Sequence, residues 1–133
     1  MDGMLIQDWL TTRLAYNVTS LTQGESEWLD LSQYQDLTLW LEVSFAALAT
    51  GVTSLSFAYE TSPTKDEALF VPAATSSLLT AALSSPQIRT VILASNPTYP
   101  LARWLRWKLS AAGSGSSGAS VITFRIAAAG RHV

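Results

Sequence analysis

The chain contains no cysteine, which excludes disulfide staples, thiolate metal sites and a cysteine nucleophile together. It has one histidine, His132, next to the last residue. A general base needs a fixed position and an orienting partner, and a chain end supplies neither by default. No His-x-His or His-Glu pairing of zinc-site spacing occurs, and the Gly-Ser run 113–118 lacks the lysine of a phosphate-binding loop. The expectation is therefore no catalytic residue, no metal ligand, no bound cofactor and no enzyme. Apolar runs of the roughly 18 residues that a membrane helix requires are also missing. Residues 1–10 lack the basic start of a secretory signal, so synthesis in the cytoplasm and no membrane partner are expected. Without a secretion route, Asn17-Val18-Thr19 is a chance match to a glycosylation acceptor.

Charge is the other scarce commodity. Charged residues make up 14% of 133 residues against 48% hydrophobic, and mean hydropathy is positive. That mix, rich in Ser and Thr, suits short strands with neutral outer faces better than surface helices with charged stripes. It also implies that part of the outside is covered by a partner. The length fits one domain: an N-terminal arm and first strand over 1–20, and a β-sandwich over 21–133.

The strongest pattern is 36–45. Leu37, Leu39, Leu41, Val43 and Phe45 alternate with Thr38, Trp40, Glu42 and Ser44, the period of a half-buried strand with its first set in the core. Burying each of those side chains is worth roughly 1.5–3 kcal/mol, so this stretch is expected to be a central strand.

Around it, 1–14 reads as an arm and 10–21 as a strand. A short strand follows at 28–31. The stretch 52–60, with Leu55, Phe57 and Tyr59 on one face, is expected to lie beside 36–45, as a hairpin or close neighbour. A brief strand at 68–71 ends at Pro72, 75–83 is a short helix or a strand, 88–94 reads as a strand buried on both sides, and 96–100 as a rigid turn. The segments 102–110 and 120–128 are expected to pair antiparallel across a flexible Gly-Ser tip. Together these make an all-β, two-sheet antiparallel β-sandwich, jelly-roll-like, with about eight strands.

All ten acidic residues lie between Asp2 and Glu67, against only Arg13 and Lys65; after Phe70 there are six basic residues and no acid. The plain reading is pairing across strands within one molecule. The sharper one is an acidic patch on one copy meeting a basic patch on the next, making a homo-oligomer. Free nucleic-acid binding is not expected at a net charge of −2.

Aromatic residues are the better candidates for recognition. Trp40 and Trp104 fall on the outer side of their strands, and Trp104 has Arg103 and Arg106 nearby, an arrangement that stacks planar groups or anchors a protein. Leu5, Ile6 and Trp9 of the arm have no obvious place in the core. The candidate interface is thus Leu5, Ile6, Trp9, Trp40, Arg103, Trp104 and Arg106. A glycan held on Trp40 or Trp104 is the alternative occupant.

The stretch 26–43, SEWLDLSQYQDLTLWLEV, followed by FAYETSP at 57–63, RWLRWKL at 103–109 and FRI at 124–126, resembles small β-sandwich virion proteins of tailed bacteriophages, including those that decorate or cement the capsid. The layout is also similar to galactose-binding-like sandwiches of the discoidin type. The first resemblance implies a non-enzymatic structural protein located on the virion. Its partners would be the major capsid protein or another virion protein, and neighbouring copies of itself. A tail or baseplate component and a carbohydrate-binding module are the alternatives.

Overall fold

Leu37, Leu39, Leu41 and Val43 are each at most 1% exposed, as their alternation demands. The computed structural model describes residues 2–75, 87–93 and 102–132. They form β1 (Asp2–Ala15), β2 (Ser20–Thr22), β3 (Leu29–Asp30), β4 (Tyr34–Ala47), β5 (Thr50–Ser62), β6 (Val71–Thr75), β7 (Gln87–Leu93), β8 (Trp104–Ser117) and β9 (Ala119–His132), with short 3-10 turns at Glu25–Glu27 and Glu67–Leu69. Sheet A has the order β1-β9-β4-β7, and sheet B the order β2-β8-β5-β6, with β3 also on β8. Every pairing is antiparallel. Because successive strands mostly change sheet, neighbours within a sheet are far apart in sequence, which is the jelly-roll form of the sandwich.

The core is the set of inward faces. Sheet A supplies Leu37, Leu39, Leu41, Val43, Ile122, Phe124 and Ile126, and sheet B supplies Leu55, Phe57, Tyr59, Leu105, Trp107 and Leu109. Phe124 of β9 meets Phe57 of β5 at 4.7 Å between ring centroids and Trp107 of β8 at 5.2 Å. These tilted and edge-on contacts bind one sheet to the other. Gln23, 2% exposed, closes the side of the sandwich. Its Nε2 donates to the Ile6 and Glu27 carbonyls, both at 3.0 Å, and its Oε1 accepts from the Trp107 amide at 3.3 Å. One side chain thereby links β1, the 3-10 turn and β8, with no polar atom left unmade.

Several expectations change. The strand 52–60 is not the hairpin partner of 36–45: β4 and β5 lie in opposite sheets, joined by an arch in which Ala49 N–H donates to Ser120 Oγ at 2.9 Å. Likewise β8 and β9 do not pair with each other; β8 pairs with β2, β3 and β5, and β9 with β1 and β4. Alternation says which face of a strand is buried. It is silent on whether the partner face lies alongside or across the core.

Phe45 is not core but 44% exposed, while Ala46 is fully buried. A register shift between Val43 and Phe45 on β9 is the cause, because one extra residue flips every later side chain. The Gly-Ser run is strand as far as Ser117 rather than a loop tip. Gly51 permits this: a Cβ there would stand 2.0 Å from the Ser114 carbonyl oxygen, so the two backbones approach as only glycine allows.

The strand expected at 10–21 instead runs from Asp2 to Ala15. The strand expected at 68–71 begins at Val71 and passes through Pro72, which β6 tolerates because it pairs only with β5 in the described sheet. The strand expected at 88–94 with both faces buried is β7, at the end of sheet A, where Ile88 is 61% exposed. The expectations for 76–83 and for 96–100 lie outside the described residues.

Candidate functional site

Register decides what the outer face of sheet A presents. Leu5, Ala127 and Trp40 stand in one cross-strand row; Arg125, Glu42 and Ile88 form the next; Thr11, Thr123 and Phe45 form another. Trp9 joins them, its ring 4.9 Å from the Arg125 guanidinium carbon. The exposures of Leu5, Trp9, Trp40, Phe45 and Ile88 run from 39% to 61%. Five large apolar side chains thus share one face, drawn from β1, β4 and β7. Between Leu5, Trp40, Ile88 and Ala127 lies a shallow depression of about 250 Å³ with Glu42 and Arg125 at its edge. Charge on this face is locally balanced: Arg125 Nη2 lies 2.6 Å from Glu42 Oε2, and Arg131 Nε lies 3.8 Å from Asp36 Oδ1.

The outer face of sheet B is polar and stacked. Strand alternation that sends Leu105, Trp107 and Leu109 inward sends Trp104 and Arg106 outward. Arg106 is nonetheless only 5% exposed. Its Nε donates to Glu60 Oε1 at 2.9 Å, and its guanidinium carbon lies 4.0 Å from the Phe70 ring centroid and 5.4 Å from that of Trp28. Trp28 and Phe70 meet edge-on at 4.7 Å, and the Trp28 indole N–H donates to the Gln23 carbonyl at 2.8 Å. Trp104 has a separate environment, with Lys65 Nζ 4.5 Å and the Arg103 guanidinium carbon 5.2 Å from its ring centroid.

The seven candidate interface residues therefore fall in four places. Leu5, Trp9 and Trp40 come together on the outer face of sheet A. Arg103 and Trp104 lie at the start of β8 on sheet B, with Arg103 3.4 Å from Asp30. Ile6 is in the core and Arg106 is buried beneath Trp28 and Phe70. Phe45 and Ile88 belong with the first group. Alternation alone hides them, Phe45 behind the register shift and Ile88 inside an apolar run. The Trp28–Arg106–Phe70 stack joins residues remote in sequence, brought together by the pairing of β8 with β3 and β5 and of β5 with β6.

The split of charge along the sequence is absorbed within the molecule. Asp30–Arg103, Glu60–Arg106, Glu67–Arg106, Glu42–Arg125 and Asp36–Arg131 each join an acid from the first half to a base from the second. Among the described residues, no three metal-capable side chains cluster. The acidity of Asp30 is clearly shifted. The Ser32 backbone N–H, at 2.9 Å, holds its carboxylate below the usual aspartate range, with smaller help from the Ser32 hydroxyl and Arg103. No protein-family model matches the chain, and no curated protein matches it.

Proposed function

We propose that the protein is a non-enzymatic structural subunit of a tailed-bacteriophage virion, of the kind that decorates the outside of the head. In this reading it associates with a second copy of itself through the outer face of sheet A, and its other partner is the major capsid protein or another virion protein. The observation that supports it is the face carrying Leu5, Trp9, Trp40, Phe45 and Ile88 at 39–61% exposure. Large apolar side chains exposed together on one face mark an interaction surface, and tryptophans are typical interface anchors.

A second copy is the occupant because a two-fold contact requires a surface that complements itself. Glu42 beside Arg125 and Asp36 beside Arg131 offer an acid and a base next to each other at each point, so a rotated copy can set base against acid. Viral capsid domains share the jelly-roll architecture, an analogy of fold and no more.

The test is sedimentation velocity of the purified protein beside Trp40→Asp and Leu5→Asp variants, followed by loading onto particles that lack it. The reading expects a dimer for the parent chain, monomers for both variants and reduced loading. A monomeric parent chain whose variants load as well as it does overturns it.

A further inference from the structure

The outer face of sheet B carries a feature that association through sheet A does not use. Residues of the segment 22–28, with Lys65 and Glu67 of the loop before β6, line an open cavity of about 260 Å³ together with Arg106; Thr22, Glu25 and Trp28 are among its walls. Arg106 is fixed there by Glu60 below and two aromatic rings beside it. Its Nη1 is buried and has no hydrogen-bond partner among the described residues. Glu67 Oε1 stands 3.9 Å away, too far for a hydrogen bond. A buried donor left unmade is a standing cost, and here the guanidinium that bears it forms a wall of a cavity.

We infer that this cavity is a binding subsite for a neutral saccharide, with one sugar hydroxyl seated between Arg106 Nη1 and Glu67 Oε1. Two polar atoms 3.9 Å apart can each lie within about 2.9 Å of a single oxygen, which accepts from the guanidinium and donates to the carboxylate. A hydroxyl is the small group able to do both. An anionic ligand fits less well, because Glu25 and Glu67 stand in the same wall as Lys65 and Arg106, so the cavity offers no excess positive charge once Glu60 is counted. Trp28, held by its indole bond to Gln23, supplies an apolar wall of the kind a sugar ring packs against. Glu67 is 77% exposed and is the side chain free to swing aside on entry. The cavity sits just below the roughly 300 Å³ at which sites for drug-sized ligands begin, so it has room for one ring.

The experiment is a titration of the full chain with methyl glucoside, methyl galactoside and methyl mannoside, with sodium acetate as the anion control. It follows the Trp28 indole and Arg106 Nε–H resonances by NMR. The expected result is saturable movement of both signals with at least one glycoside, an affinity loss of about tenfold or more in Glu67→Ala, and unchanged binding in Trp40→Asp. Movement with acetate and none with the glycosides overturns the inference in favour of an anion site. No movement with any of them overturns it in favour of a cavity that holds water only. Because Trp40 lies on the other sheet, failure here leaves the association reading standing, and the reverse also holds.

Discussion

Glu60 and Arg106 occupy directly opposed positions on β5 and β8, and Arg106 Nε donates to Glu60 Oε1 at 2.9 Å with both residues under one tenth exposed. An ion pair at that depth is costly to desolvate and weak evidence of stability as a pair, yet breaking it by removing one member leaves an uncompensated charge. Arg106→Met and Glu60→Gln are each expected to destabilise the fold by about 3–5 kcal/mol. The combined Glu60→Leu/Arg106→Met replacement should recover most of that loss. Urea unfolding of the three variants reads this directly; single variants within about 1 kcal/mol of the parent would contradict the burial of the pair.

Gly51 and Gly118 both have positive φ, +87° and +76°, but different surroundings. A Cβ on Gly118 meets nothing within 4 Å, whereas one on Gly51 falls 2.0 Å from the Ser114 carbonyl oxygen. Gly118→Ala is therefore expected to cost only the left-handed backbone penalty of about 1–2 kcal/mol. Gly51→Ala carries that penalty and also forces β5 and β8 apart, so its loss in thermal or urea stability should be clearly larger. Equal losses would mean that the close approach of the two backbones contributes nothing.

Asp30 titrates low chiefly because the Ser32 amide hydrogen-bonds its carboxylate, with Arg103 a lesser cause. A folded-state pKa below the unfolded value means that the carboxylate's stabilising contribution is present above the unfolded pKa. It is lost as pH falls through the folded one. An NMR titration should place the Asp30 midpoint below the ordinary aspartate value, and Arg103→Ala should return only the smaller part of the shift. Complete return in that variant would move the cause from the backbone to the ion pair.

How far these features could be read in advance depended on the kind of signal. The inward faces of β4, β5 and β8 followed from alternation because each apolar set keeps period two over several residues, and Leu39, Leu55 and Leu109 are fully buried as that pattern requires. Pairing did not follow. Successive strands in this sandwich face each other across the core, where no short-range turn signal distinguishes an arch from a hairpin. Phe45 was lost to a one-residue register shift, and a shift of that kind leaves no trace in composition. Trp40 was legible as an outward residue, but its company on sheet A was not: Leu5, Ala127 and Ile88 arrive from three other strands whose registers are set by long-range pairing. Arg106 reads in the sequence as a neighbour of Trp104 on an outer platform, and nothing local announces that Trp28 and Phe70 cover it instead.

The central claim, a structural role on a virion, is tested most directly by sedimenting the protein from its native source through a density gradient and asking where it travels. The account predicts that it moves with particles of megadalton size, stays with them in moderate salt, and loads onto them less well when Trp40 is replaced by Asp. Recovery of all the protein at the top of the gradient, as a free monomer or small oligomer, would contradict it.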